Sequence, residues 1–307
     1  MSSFKVLVLM STYNGEKYLS KQFESVLNQK GVDVTILIRD DGSKDDTLAL
    51  LMSYNYSGNV VKIIRGDNMG SARSFMYLVG EAFVSYNDYD YYAFCDQDDV
   101  WLEDKLISAI SILNQKDNRV PALYMSAYQM VDMHLKTIPT YLKKPKLNLA
   151  SALSANSATG CTMVFNRSLL NVIVSKKPEF LIMHDYWTYL VCLAVGGFVF
   201  YDETSHILYR QHEHNVIGGR KDPFVKKWLN RIRKVFANGD YFKSKTAQQL
   251  LKCYADDMSE KDKNLLQQIS TCSKLKSKLK LLCNDDFIGN SLDKKLQMIG
   301  LILTGKL

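Results

Sequence analysis

The sequence predicts an α/β fold: an open, mostly parallel sheet with helices on both faces, then a less regular mixed half, then a basic helical C-terminal extension. Three observations predict it. Through the first hundred residues, short apolar runs of strand length alternate with stretches of helical spacing. Polar clusters follow three of the predicted strands: Ser11-Thr12-Tyr13-Asn14, Asp40-Asp41-Gly42-Ser43 and Asp96-Gln97-Asp98-Asp99. The charge is also split, since residues 220–307 hold 19 Lys+Arg against 9 Asp+Glu while the remainder holds 20 against 23.

Residues 4–10 form the first expected strand, and 15–29 the first helix, because Tyr18, Leu19, Phe23, Val26 and Leu27 recur at helical spacing. A second strand at 34–39 leads through the Asp40–Ser43 turn into a helix at 45–54, whose acidic start suits its dipole. A third strand at 60–65, a loop at 66–70, a helix at 72–84 and a fourth strand at 91–95 complete the alternation. Ligands of such sheets bind at the carboxyl ends of the strands, so the three polar clusters face one cleft. After a helix at 101–113, strands are expected at 122–130, 160–166 and 197–201, with helices at 168–175 and 185–195. A main domain at 1–219 and a basic helical region at 220–307 are expected, with Gly218, Gly219 and Pro223 punctuating the boundary.

A chain of 307 residues with 47% hydrophobic content can bury a core, which argues against intrinsic disorder. Its 5 Pro and 16 Gly give no support to collagen-like or low-complexity readings. The six cysteines form no C-x-x-C pair, so neither a disulfide framework nor a cysteine zinc site is expected. The apolar stretch at 189–201 is about half of the roughly 20 residues a membrane-spanning helix needs. The apolar run at 6–10 lacks the basic start and cleavage site of a secretory signal, and a cytoplasmic location is expected.

Asp96, Asp98 and Asp99 place three carboxylates within four residues, and their mutual repulsion raises their pKa values unless a cation neutralises them. A hard-oxygen site for Mg²⁺ or Mn²⁺ is the chemical reading, alongside the plainer one of a solvated acidic turn. Each polar cluster taken alone could also cap a helix or close an Asx turn. His206, His212 and His214 lack the spacing and thiolates of a zinc site. Residues 300–306 satisfy G-x-x-x-x-G-K, but Leu307 stands where the Ser/Thr is required, and no helix follows.

Three segments carry a resemblance: Val8 to Leu19 with Ser11-Thr12-Tyr13-Asn14-Gly15, Ile38 to Ser43 with Asp45 and Thr47, and Asp96-Gln97-Asp98-Asp99-Val100-Trp101 with Lys105. Gly160-Cys161-Thr162, His184-Asp185-Tyr186-Trp187 and Tyr209-Arg210-Gln211-His212 with Asn215 extend it to about residue 218. Together they resemble the inverting family 2 glycosyltransferases of GT-A fold, in the manner of bacterial rhamnosyltransferases of rhamnose-polysaccharide synthesis. The resemblance implies a Rossmann-like nucleotide-binding sheet with a mixed acceptor half. It implies that Thr12, Tyr13 and Asp40 surround the nucleotide base, with Asp41 and Arg73 on the donor side. Asp96 would approach the ribose or the metal shell, Asp98 would bind the metal on the donor diphosphate, and Asp99 would order the loop or the donor sugar. Asp185 matches the catalytic base, and it also suits a helix N-cap. His212 is the choice for a further metal or diphosphate contact, and His184 would orient its neighbour or pack. Trp187 would stack on an acceptor sugar or belong to the core.

The implied function is metal-dependent, inverting sugar transfer, with dTDP-β-L-rhamnose as donor and a lipid-linked saccharide as acceptor. Other nucleotide sugars (UDP-glucose, UDP-GlcNAc, UDP-galactose) are the nearest alternatives. A Mg²⁺-dependent nucleotidyltransferase would need a glycine-rich basic loop, and Ser11–Glu16 holds one Gly. A non-catalytic saccharide- or nucleic-acid-binding module would make Asp98 and Asp185 dispensable. Residues 224–236 combine an apolar helical stripe through Phe224, Trp228, Leu229 and Ile232 with Lys226, Lys227, Arg231 and Arg233. With Lys274, Lys276, Lys278 and Lys280 they suit anionic lipid, so peripheral attachment to the cytoplasmic leaflet is expected, and nucleic acid is not.

Overall fold

Eight strands form one twisted sheet in the order β3-β2-β1-β4-β7-β6-β8-β5, in a computed structural model that describes residues 3–54, 60–212, 241–289 and 291–307. β1 (Phe4–Thr12), β2 (Val32–Asp40), β3 (Val60–Arg65) and β4 (Tyr91–Cys95) run parallel. They are joined through α1 (Glu16–Leu27), α2 (Thr47–Tyr54) and α3 (Ser71–Ser85). Alternation along β1 explains the two-sided cover. Val6, Val8 and Met10 pack with Leu19 and Phe23 of α1, whereas Leu7 and Leu9 join Phe75 and Leu78 of α3 on the opposite face. A parallel strand buried on both sides reads as a continuous apolar run, which is why residues 4–10 are legible.

The second half is mixed. β7 (Val164–Asn166) is antiparallel to both β4 and β6 (Ala122–Val131), and β6 runs parallel to β8 (Phe198–Arg210). The helix expected from residue 101 starts later, because Val100 and Trp101 form β5 against Leu208 and Ile207; α4 spans Lys105–Leu113. The strand expected at 160–166 is a 3₁₀ turn, Gly160–Thr162, followed by the three residues of β7. β8 runs on through Arg210, past the polar Asp202-Glu203-Thr204 that masks its continuation in the sequence. Beyond α5 (Leu149–Ser154), α6 (Arg167–Ser175) is capped by Asn166, whose side chain accepts from Leu169 N at 3.0 Å. α7 (His184–Ala194) carries the expected Asp185 in its first turn.

Residues 241–307 are helical, as expected: α8 (Phe242–Tyr254), α9 (Glu260–Ser270), α10 (Leu275–Leu282), α11 (Asp285–Ile288) and α12 (Leu292–Thr304). Leu250, Tyr254, Leu266, Ile269, Leu281 and Ile302 belong to the same apolar cluster as α3, α6 and α7. Tyr254 donates its hydroxyl to Val172 O at 3.1 Å, and Lys243 donates to the carbonyls of Leu153 and Ser154 at the end of α5. The boundary expected at 218–223 and the amphipathic stripe at 224–236 lie outside the described residues. Among the described residues no helix is long and apolar enough to cross a membrane.

Candidate active site

The three polar clusters meet at the carboxyl ends of β1, β2 and β4. Register alone places Thr12 beside Asp40, and Thr12 Oγ1 donates to Asp40 Oδ2 at 3.0 Å. Asp40 also accepts from the Ser43 amide and hydroxyl, so its buried carboxylate ties the 40–43 turn to the end of β1. Tyr13 is held by a two-point amide clamp, its N donating to Gln97 Oε1 at 2.8 Å and its O accepting from Gln97 Nε2 at 2.9 Å. The same Gln97 amide occupies the space a Cβ on Gly15 would need. The Tyr13 side chain is left exposed over this platform.

Asp41 is committed internally. It pairs with buried Arg39 and accepts from the Met69 and Gly70 amides, and Arg39 also donates to Asp67 O at 3.0 Å. The pair therefore shapes the 66–70 loop beside the end of β2, a role a buried charge can take only when paired. Arg73 is exposed in the first turn of α3, directly after that loop.

In the acidic cluster the three carboxylates differ. Asp98 Oδ2 accepts from the Nε2–H of the His212 ring across 2.7 Å, and its carbonyl accepts from Arg210 Nε at 2.7 Å. Arg210 and the His212 ring both lie against Tyr18, at 4.7 and 5.1 Å from its ring centroid. Asp99 is fully buried; its carboxylate accepts from Arg210 N at 3.1 Å and from the Cys161 thiol. Burial and the charges of Asp98 and Asp96 hold its carboxyl well above the ordinary range. Beneath it, Lys105 lies with its ammonium 3.6 Å from the Trp101 ring centroid, and burial pulls its pKa down to about 8.

Asp96 is partly buried, and burial, Asp98 and Asp185 together push its carboxyl up to about 8. The ligand atoms of Asp96, Asp99 and Cys161 come within 4.8 Å of one another. The Cys161 thiol, raised far by burial and the carboxylates, stays neutral and is a poor match for a hard cation. Asp96 and Asp98 offer carboxylate oxygens of the kind that suits Mg²⁺ or Mn²⁺, and His212 lies against Asp98. A cation bound there would offset the repulsion between carboxylates that helps raise the Asp96 pKa.

This gives a pH-dependent expectation. Asp96 titrates near 8 when folded and near its ordinary 3.8 when unfolded, so between these values the folded state holds more protons and loses stability as pH rises. Added Mg²⁺ or Mn²⁺ should therefore raise Tm more at pH 8 than at pH 5, against an EDTA control. Equal shifts at both values would contradict the site.

Asp185 lies across from the acidic cluster, at the head of α7. It is 6% exposed; its Oδ2 accepts from Gly160 N at 3.0 Å and its Oδ1 from Tyr186 N at 2.6 Å. Burial raises its pKa and these two amides oppose the rise. His184 is also buried, stacked on Phe75 at 3.9 Å and edge-on to Phe94 at 4.7 Å; it packs, and burial lowers its pKa to about 3. Trp187 is turned into the core with its ring centroid 6.3 Å from Tyr254. It points away from Asp185, because two residues along a helix the side chain turns by about 200°. The sequence did not single out the Gly160 amide, the Gln97 clamp or the Arg39–Asp41 pair as parts of the site.

A nucleotide-type cleft over parallel strand ends, an acidic cluster after β4 and a carboxylate at the head of α7 define a glycosyltransferase of GT-A fold. The chain belongs to glycosyl transferase family 2, whose family model matches residues 7–174. The dTDP-rhamnosyl transferase RfbG of Shigella flexneri is 28% identical over 227 residues, 68% of this chain and 73% of that one. The UDP-Glc:alpha-D-GlcNAc-diphosphoundecaprenol beta-1,3-glucosyltransferase WfgD of Escherichia coli is 26% identical over 194 residues, 63% of this chain and 71% of that one. The crystal structure of S. aureus TarS 1–349 in complex with UDP-GlcNAc superposes with a TM-score of 0.56 at 14% identity, covering 98% of this chain and 91% of that one.

Proposed function

We propose that this glycosyltransferase moves L-rhamnose from dTDP-β-L-rhamnose to a lipid-carried saccharide, with inversion at the anomeric carbon. The observation that carries the reading is Asp185: a buried carboxylate of raised pKa, aimed by two backbone amides and facing the acidic cluster. Asp185 takes the proton of the acceptor hydroxyl as the hydroxyl oxygen bonds to the sugar carbon. The bond from that carbon to the diphosphate oxygen breaks on the far side, and nucleoside diphosphate leaves with the bonding pair. Asp98 and His212 would hold the divalent cation with Asp96 behind them, and such a cation supplies positive charge to the leaving diphosphate. Thr12, Tyr13 and Asp40 would receive the base, and Arg73 would reach the donor side. The thymidine–rhamnose choice is supported by the likeness to RfbG, and a lipid diphosphate acceptor by the likeness to WfgD. WfgD also supports a second reading with UDP-glucose as donor.

Incubation with dTDP-rhamnose, UDP-glucose or UDP-GlcNAc plus Mn²⁺ or Mg²⁺ should release nucleoside diphosphate fastest from the first. In thermal melts, dTDP plus metal should raise Tm more than UDP plus metal, since a ligand bound only by the folded state stabilises it. Equal shifts would remove the support for thymidine, and turnover of UDP-glucose alone would establish the second reading.

A further inference from the structure

We infer that the outward face of the helical hairpin made by α10 and α12 is a docking surface for an anionic lipid bilayer. Leu275, Leu279, Leu292, Leu296 and Leu303 are 54–73% exposed there, an unusual concentration for helices that otherwise pack on the core. α10 buries Ser277 and Leu281, and at 100° per residue Leu275, Lys276 and Leu279 share the arc away from them, with Lys280 exposed on its flank. α12 buries Met298 and Ile302 and leaves Leu292, Leu296 and Leu303 on one narrow stripe, spaced by four and seven residues. Lys278 joins the two helices by donating to Leu303 O at 2.6 Å.

The charges decide the occupant. Lys274, at the N-cap of α10, and Lys276 and Lys280 within it are exposed around Leu275 and Leu279. Of the acids on the connecting α11, Asp286 is drawn away to Lys146 and Asn148, and Asp285 is exposed. A second copy of this face would set lysines against lysines. An anionic bilayer accepts both the leucines at the acyl boundary and the lysines at the headgroups.

The placement suits a lipid-carried acceptor, and in that purpose the inference rests on the proposed reaction. Asp286 bonds to Asn148 and its carbonyl accepts from Ser151 on α5; on the same helix Ala152 O accepts from Tyr186, the neighbour of Asp185. One short helix thus separates the hairpin from the base.

Flotation of the full chain with vesicles tests the surface without any sugar. The unaltered chain should float with phosphatidylcholine–phosphatidylglycerol vesicles, less at high salt, and poorly with phosphatidylcholine alone. Leu279→Glu/Leu296→Glu should lower partition about tenfold or more, with Tm and dTDP binding unchanged because both leucines are exposed. Lys276→Glu/Lys280→Glu should abolish the preference for the anionic lipid. The inference falls if the unaltered chain stays at the bottom, if it floats equally with neutral vesicles, or if the leucine variant floats undiminished. It falls also if the chain elutes as a dimer that the leucine variant converts to monomer. Release of nucleoside diphosphate, measured separately, reports on the proposed reaction and not on this face.

Discussion

Asp185→Asn should bind dTDP and metal as the unaltered protein does and lose transfer by roughly 10²–10⁴-fold, the usual contribution of a general base. The substitution keeps the shape at the head of α7 and removes the group that takes the acceptor proton. Two features make the effect large here. The carboxylate is buried, so a water molecule cannot readily replace it, and burial raises its pKa, so its proton affinity exceeds that of an ordinary aspartate. The acid limb of kcat should accordingly lie above the usual carboxylate range, because the base works only when ionised, and Asp185→Asn should erase that limb. Asp98→Ala should show the opposite pattern, losing metal-dependent dTDP binding in calorimetry through removal of a donor beside His212. Transfer by Asp185→Asn within about tenfold of the unaltered rate, short of the loss expected for a deleted base, would dismiss Asp185 from this role.

The parts of the fold visible in the sequence are those whose local pattern and tertiary fate agree. The β1 run, buried on both faces, and the helices with one apolar stripe show themselves by period. β5 does not, because two residues against β8 leave no periodic trace, and Asp202-Glu203-Thr204 reads as the end of a strand that runs on to Arg210. The acidic cluster, Asp40 and Asp185 were legible as residue types of a known chemistry in a known order. The features that aim them were not: the Gly160 amide lies 25 residues from Asp185, and the amide clamp on Tyr13 comes from Gln97, 84 residues away. Backbone donors have no side-chain signature, so a site built partly from them is only partly written in residue identities. Trp187 shows the converse, since its place beside Asp185 in the chain says nothing about its place beside Asp185 in space.

Gly160→Ala should lower both Tm and transfer, because the position has no room for a methyl group. A Cβ there would stand 2.8 Å from His184 Nε2 and 3.3 Å from Asp185 Cβ. His184 cannot yield: its ring is fixed between Phe75 and Phe94. Relief must come from moving the 160–162 turn, and that movement withdraws the Gly160 amide from Asp185 Oδ2. Overpacking of this kind costs about 1–3 kcal/mol. The transfer rate should fall at least tenfold through a misaimed base, since displacements on the order of 1 Å at a reacting group cost up to about 10²-fold. His184→Phe is the companion variant. It keeps the ring stack and removes two imidazole nitrogens that have no hydrogen-bond partner among the described residues. It should hold or raise Tm and retain transfer. It should also weaken the acid sensitivity of the fold: His184 titrates near 3 when folded and near 6.5 when unfolded, so the unfolded state gains the proton first and stability falls as pH drops through that window. Melts between pH 4 and 7 together with steady-state transfer at pH 7.5 measure both effects. Full transfer by Gly160→Ala would show that the Gly160 amide does not aim Asp185, and loss of transfer by a stable His184→Phe would move the requirement from the ring to its nitrogens.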